Sequence, residues 1–367
     1  MIRQGAIALL GRADTPTDGV EQYCRHLGEA LREQGISLAI ERVLWAERGW
    51  RRALRSLRRH AKGWRGMWVL VQYTALAWSA RGFPLRFSRV LRILSRMGVR
   101  IGVVYHDVEP FTGTRFIDQL RRRAQLHAMR HAMDVCDVAV FTVPMENLSW
   151  MRPQYTHSAF IPVGANLPVA GEAASRKSVA GDGKLSIAVF SVTGGEFMQR
   201  EVGEITQAVR FAASRVKNLK LTVFGRHAKD AEAELRNQLD GVPVELQVSG
   251  LLSNEDVVRS MSSCDVLLFV RGPISTRRSS AIAGIACGLP VIAAEGPETS
   301  SLIKDAGVAF YSPQKKSNLG EVLLHVLEDE HYRTSLAQRS WIAQQRFFSW
   351  TVIAARYADF LETKPKL

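Results

Sequence analysis

Residues 264–303 read CDVLLFVRGPISTRRSSAIAGIACGLPVIAAEGPETSSLI. The apolar run 266–270 has the length and composition of a buried strand, and the Gly, Pro and Ser of 271–276 make the loop that follows it. Ser279 and Ser280 then stand where a helix caps itself, the helix ends near Gly288, and 290–294 returns as a strand. A strand whose carboxyl end feeds a helix N-terminus presents free backbone N–H groups and the positive end of a helix dipole. Arg271, Arg277 and Arg278 add three guanidinium groups to the same loop, so the place suits a diphosphate.

A chain of 367 residues, 46% apolar and 23% charged, can bury ordinary cores, and two domains are expected. Cys24, Cys136, Cys264 and Cys287 lie far apart inside apolar patterns and lack metal-ligand spacing, which predicts reduced core thiols and no metal site. The opening residues MIRQGAIALLGR hold too short an apolar core for a signal peptide. No run of about 18 apolar residues occurs either, so a cytoplasmic chain that does not span a membrane is expected.

The charge is unevenly placed. Residues 1–165 hold 25 Lys and Arg against 13 Asp and Glu, a net of +12 out of the chain's +14. Most of the excess sits in 48–65, RGWRRALRSLRRHAKGWR, in 81–100, and at Arg121, Arg122 and Arg123. At helical spacing Trp50, Leu54, Leu57, Ala61 and Trp64 share one face, while Arg48, Arg52, Arg55, Arg59 and Lys62 share another. An apolar face with terminal tryptophans opposite an arginine face predicts a helix lying on an anionic membrane surface. The same pattern describes a surface helix whose apolar stripe packs on its own domain. Nucleic acid is not an expected partner, because no base-reading or aromatic-stacking module accompanies the basic helix.

Apolar runs at 6–10, 38–43, 67–71, 100–105, 138–142 and 159–162 read as strands, separated by helical patterns such as 20–34 and 87–97. A small, polar, aperiodic stretch at 166–183 reads as a linker. A second series of strands follows at 185–190, 219–224, 244–248, 266–270, 290–293 and 308–311. The class is therefore α/β, with two tandem doubly wound parallel sheets of Rossmann-like type. Their boundaries are expected at 1–165 and 184–345, with a closing segment at 346–367. Ligands of such sheets sit at the carboxyl ends of the strands, and two domains face each other across a cleft.

Four landmarks, in order, carry a resemblance to a known family. They are Asp18, Gly19 and Val20 before an amphipathic helix; Tyr105, His106 and Asp107 after a strand; Ile161, Pro162, Val163 and Gly164 at the domain junction; and the 264–303 block with ACGLPVIA at 286–293. Phe348, Ser349 and Trp350 before a last amphipathic helix add a fifth. Over most of its length the chain resembles retaining glycosyltransferases of the GT-B fold, the large group that includes hexosyltransferases acting on lipid carriers and polysaccharides. The resemblance implies an acceptor-binding first domain, a nucleotide-sugar-binding second domain, and a last helix that packs toward the first. It implies hexose transfer from a UDP- or GDP-sugar to a lipid-linked or polysaccharide acceptor at the cytoplasmic membrane face, with no cofactor and no metal.

Such a transfer needs stabilisation of a leaving diphosphate and close approach of backbone to sugar. Ser191, Thr193, Gly194 and Gly195 follow the first strand of the second series, where the glycines allow that approach. The resemblance places Arg200 where the family has a diphosphate-binding Lys, and Gly195 where it usually has an Arg. Arg226, in the next loop, is a further cation or a plain surface arginine. His106 is placed near the sugar and acceptor; otherwise it orders its loop through Asp107. Gly19 belongs to the loop that approaches the diphosphate in relatives, or makes a plain turn.

The departures matter as much. Most relatives carry two glutamates in the 264–303 block, and here Ser275 and Ala283 stand at those positions. Neither accepts hydrogen bonds as a carboxylate does. A divergent enzyme that holds its donor through Arg271, Arg277, Arg278, Ser279 and Ser280 is expected, with Glu298 replacing one lost carboxylate or standing as an exposed loop residue. A non-catalytic subunit of the same fold that binds a partner or a membrane would show the same departures. A nucleotide-sugar epimerase of similar fold is a third reading, which the basic helix does not favour.

Overall fold

A computed structural model describes residues 4–167, 184–312 and 318–362. The expected linker 166–183 lies outside the described residues from 168 onward. The chain divides into two compact units, one holding the residues up to Pro162 together with those from Trp350, the other Val163–Ser349.

The first unit runs β1 (Gln4–Leu10), α1 (Gly19–Glu33), β2 (Ile36–Arg42), α2 (Trp45–Arg48), α3 (Trp50–Ala61), β3 (Trp68–Tyr73), α4 (Phe87–Arg96), β4 (Arg100–Tyr105), α5 (Phe116–Val135), β5 (Val138–Phe141) and β6 (Ser158–Phe160). Its strands form one parallel sheet in the order β2-β1-β3-β4-β5-β6. All six residues of β3 are buried, as expected for an inner strand of a parallel sheet covered on both faces.

The second unit continues with β7 (Leu185–Phe190), α6 (Glu196–Ala213), β8 (Leu219–Phe224), α7 (Ala228–Gln238), β9 (Val244–Val248), α8 (Asn254–Ser262) and β10 (Val266–Phe269). It closes with α9 (Ser279–Ala286), β11 (Val291–Ala294), α10 (Ser301–Asp305), β12 (Val308–Tyr311), α11 (Leu319–Glu328) and α12 (Glu330–Ala343). The sheet is again parallel, in the order β12-β11-β10-β7-β8-β9. Each sheet thus turns to one side of its first strand and then to the other. The reversal falls between β1 and β3 in the first unit and between β7 and β10 in the second, and loops diverge at such switch points to leave room for a ligand.

A π-helical turn, Gln344–Phe348, extends α12 before the chain enters α13 (Trp350–Leu361). That helix packs on α1 of the first unit, burying Ile353, Tyr357 and Leu361. The Tyr357 and Tyr23 hydroxyls meet at 2.9 Å, and the Trp68 indole N–H donates to the Leu361 carbonyl at 2.9 Å.

The expected membrane face of the basic helix is corrected by the packing. Ala53, Leu57 and Ala61 of α3 are core residues, and Trp50, Leu54 and Trp64 pack against the same core. Trp50 stacks on Trp45 with ring centres 5.1 Å apart. The stripe packs on its own unit, with α4 as a neighbouring helix, while the arginines of α3 stay outside. All four cysteines are free and buried.

Candidate functional site

The second unit gathers polar groups at the carboxyl ends of β7, β8 and β10, around its switch point. Ser191 leaves β7 with a positive φ of 68°. Its N–H bonds the Phe224 carbonyl at 2.7 Å, and its hydroxyl accepts from the Arg226 N–H at 3.2 Å. Ser191 therefore ties the β7 loop to the β8 loop and supports the site from beneath. Thr193 bridges the other way: its Oγ1 accepts from the Arg271 Nε at 3.3 Å, which links the β7 and β10 loops across the switch point.

Gly195 sits at the start of α6 with φ 70° and ψ −143°, a region that only glycine enters easily. No side chain caps this helix, and nothing lies within 4 Å of where a Gly195 Cβ would be. A Cβ at Gly194 would meet the His227 ring at 3.0 Å. The α6 start thus combines uncapped N–H groups with open space, the arrangement that receives phosphate oxygens.

Glu201, on the inward face of α6 and only 1% exposed, accepts the Thr193 N–H at 2.7 Å. Burial pulls the Arg271 guanidinium below its ordinary pKa, the Glu201 carboxylate opposes that, and Arg226 adds to it. Thr193, Glu201, Arg226 and Arg271 therefore act on one another in one place. Glu201 is the member that residue patterns failed to single out. Its signal was available, because Val202, Ile205, Ala208, Val209 and Ala212 mark the buried stripe of α6 and an unpaired acid does not belong in such a stripe.

The remaining expected cations behave differently. Arg277 Nε and a second guanidinium nitrogen bond the two Glu298 oxygens at 2.7 and 2.9 Å. Burial raises the Glu298 pKa, but Arg277, helped by Arg278 and Ser275, outweighs it and holds the carboxyl below its ordinary value. Glu298 is therefore not a plain exposed loop residue; its carboxylate is paired with Arg277. Arg278 is the N-cap residue of α9, and Ser279 and Ser280 are its first helical residues rather than caps, since no side chain caps that helix. Arg200 stays 55% exposed, 3.6 Å from Glu204 and over the Phe197 ring.

In the first unit, His106 follows β4. Its Nε2 lies 2.8 Å from the Gln72 Oε1, and the Gln72 amide nitrogen donates to the Leu70 carbonyl at 3.0 Å. With that amide orientation the histidine Nε2 carries the proton and Nδ1 is an acceptor. Burial pulls the ring down to a pKa of about 4, with Asp18 opposing, so the imidazole is neutral. Tyr23 meets it edge-on at 5.0 Å. Asp107 instead accepts the Ala75 N–H at 2.8 Å. Gly19 opens α1, whose start is already capped: the Asp18 carboxylate takes the Val20 and Glu21 N–H groups at 3.1 Å each and pairs with Arg42 at 3.0 Å. No cluster of three or more His, Cys, Asp or Glu suited to a metal occurs among the described residues, and no described helix is long and apolar enough to cross a membrane.

Known structures are similar in fold over almost the whole chain. Anabaena HepE in complex with UDP and glucose is 14% identical, with a TM-score of 0.66 over 98% of this chain and 99% of that one. Sucrose-phosphate synthase from Thermosynechococcus elongatus is 17% identical, with a TM-score of 0.65 over 98% of each chain. WaaG, a glycosyltransferase involved in lipopolysaccharide biosynthesis, is 14% identical, with a TM-score of 0.62 over 98% of this chain and 100% of that one.

The chain has the GT-B fold.

No protein-family model matches the sequence, and a comparison with curated proteins finds no match. At identities this low the likeness is one of backbone fold.

Proposed function

We propose that the protein is a retaining glycosyltransferase that moves a hexose from a UDP- or GDP-sugar to a lipid-linked or polysaccharide acceptor. The Arg271–Thr193 bond across the β7–β10 switch point, beside the uncapped start of α6, is the observation that carries this reading. Arg271 and the α6 N–H groups would neutralise a leaving diphosphate, and Gly194 and Gly195 would let the donor approach the backbone. HepE binds UDP and glucose on the same fold, which supports a nucleotide-sugar donor. A neutral His106 with an acceptor Nδ1 would receive a hydrogen bond from a hydroxyl of donor or acceptor. The cation-rich first unit suits a cytoplasmic chain held peripherally at an anionic membrane surface where a lipid-linked acceptor resides.

The non-catalytic reading has its own observation. Ser275 and Ala283, at the positions of the missing glutamates, are 0% and 1% exposed, so no carboxylate is offered from either place. Calorimetric titration with UDP-, GDP- and ADP-sugars separates the two. One nucleotide is expected to bind, and Arg271→Gln should weaken it by about 1.5–3 kcal/mol, the range for a charge-assisted bond. Silence from all three sugars would leave the non-catalytic subunit standing.

A further inference from the structure

On the flank of the first unit, α3 and α4 lie side by side and border an open groove of about 450 Å³. Arg51, Arg55 and Arg58 line it from α3, and Arg89, Arg92 and Arg96 from α4, with Leu54 and Ile93 between them. The six arginines are exposed, and none has a carboxylate partner among the described residues.

This arrangement is unfavourable for the protein alone. Within each helix the arginines stand three or four residues apart, where like charges repel. Neither helix carries an acid in its first turn, while Arg51 and Arg89 lie near the positive ends of the dipoles. Buried ion pairs do not relieve the charge, and every cation is Arg, whose planar fork matches phosphate oxygens in a bidentate way. The spacing along the two rows is too long for one tetrahedral anion to satisfy, because residues a turn apart rise by about 5.4 Å. The Leu54 and Ile93 side chains form an apolar strip between the rows that a sugar or polyol ring can cover.

We propose that the groove between α3 and α4 is a binding site for a ligand bearing two or more phosphate groups on a small scaffold. It is separate from the donor loops, which belong to the second unit. The ligand chemistry has two sources, a soluble polyphosphorylated molecule and a phosphate-bearing lipid headgroup, and vesicles distinguish them.

The test uses the full chain and sodium tripolyphosphate as the probe in calorimetric titrations at low salt. Three proteins are compared: wild type, a groove variant with Arg55→Gln and Arg92→Gln, and a charge-matched control with Arg236→Gln and Arg259→Gln on exposed helix faces of the second unit. The groove variant should lose a binding event that the control keeps, with affinity falling about tenfold or more, equivalent to losing one or two charge-assisted contacts. Inorganic phosphate should bind at that event about tenfold or more weakly than tripolyphosphate, because it spans one pair of arginines rather than several. Arg271→Gln should leave the event intact, so failure of the donor-site reading and failure of this one read differently. Sedimentation with vesicles carrying phosphatidylinositol bisphosphate, lost in the groove variant and reversed by tripolyphosphate, identifies a lipid headgroup as the source; groove-dependent binding of tripolyphosphate without sedimentation identifies a soluble one. Equal tripolyphosphate binding by wild type and groove variant, equal losses in groove variant and control, or phosphate binding as tightly as tripolyphosphate would overturn the proposal.

Discussion

Single side chains decide which charges the crevice between the β7 and β10 loops presents. Arg271 is kept close to its loop by Thr193 and charged beside Glu201, whereas Arg277 is already neutralised by Glu298. Glu201→Gln should therefore destabilise the second unit by about 2–3 kcal/mol, since a buried charged acceptor is replaced by a neutral one. In a urea-denaturation cycle with Arg271→Gln, a coupling above about 0.5 kcal/mol is expected; additive losses would mean the two charges do not act on each other. His106 carries a second residue-scale consequence. Its native pKa of about 4 lies below the ordinary 6.5, so between those values the unfolded chain takes up a proton that the folded chain does not. The stability contribution is complete above about pH 6.5 and is lost as the pH falls toward 4. Because the residue is only partly buried, the loss should be about 2 kcal/mol rather than the whole value of the shift. Denaturation midpoints of wild type and His106→Gln should converge over that window, and parallel pH profiles would count against it.

Among the elements, α3 shows how one amphipathic pattern admits two environments. Its stripe of Ala53, Leu57 and Ala61 is as suited to lipid as to a protein core, and a periodicity records only that something apolar lies opposite. Here α4 and the core of the first unit supply that surface. Leu57, 4% exposed, should cost about 2–5 kcal/mol when replaced by Ala, the range for emptying a packed aliphatic site. Thermal melts read this directly: a melting temperature unchanged from wild type would return the stripe to the membrane-facing reading. The strands behaved differently from the helices. Their runs of Val, Ile and Leu between Gly and Pro turns leave few alternatives, so 100–105, 185–190, 219–224, 244–248 and 308–311 were legible to the residue.

At the scale of the whole molecule, the two units have separate cores, and the first needs the far end of the chain to close it. Ile353, Tyr357 and Leu361 of α13 are fully buried, and Tyr357 shares its hydroxyl with Tyr23, whose ring meets His106. A chain ending at Ser349 should lose the calorimetric transition of the first unit, because the uncovered faces of α1 and β3 are apolar, while the transition of the second unit persists within a few degrees. If both transitions fall together, the cores are not independent.

The sequence alone determined the two parallel sheets, their order along the chain, the family of folds they resemble and the loops that carry the cations, because strand burial and turn chemistry are local and appear as composition and period. Which cations remain available was decided only by tertiary structure. The bidentate bond from Arg277 to Glu298 spans 21 residues, the tie from Arg271 to Thr193 spans 78, and the pairing of two arginine rows depends on α3 lying beside α4. Charge partners are chosen by distance in space, and a sequence records distance along the chain.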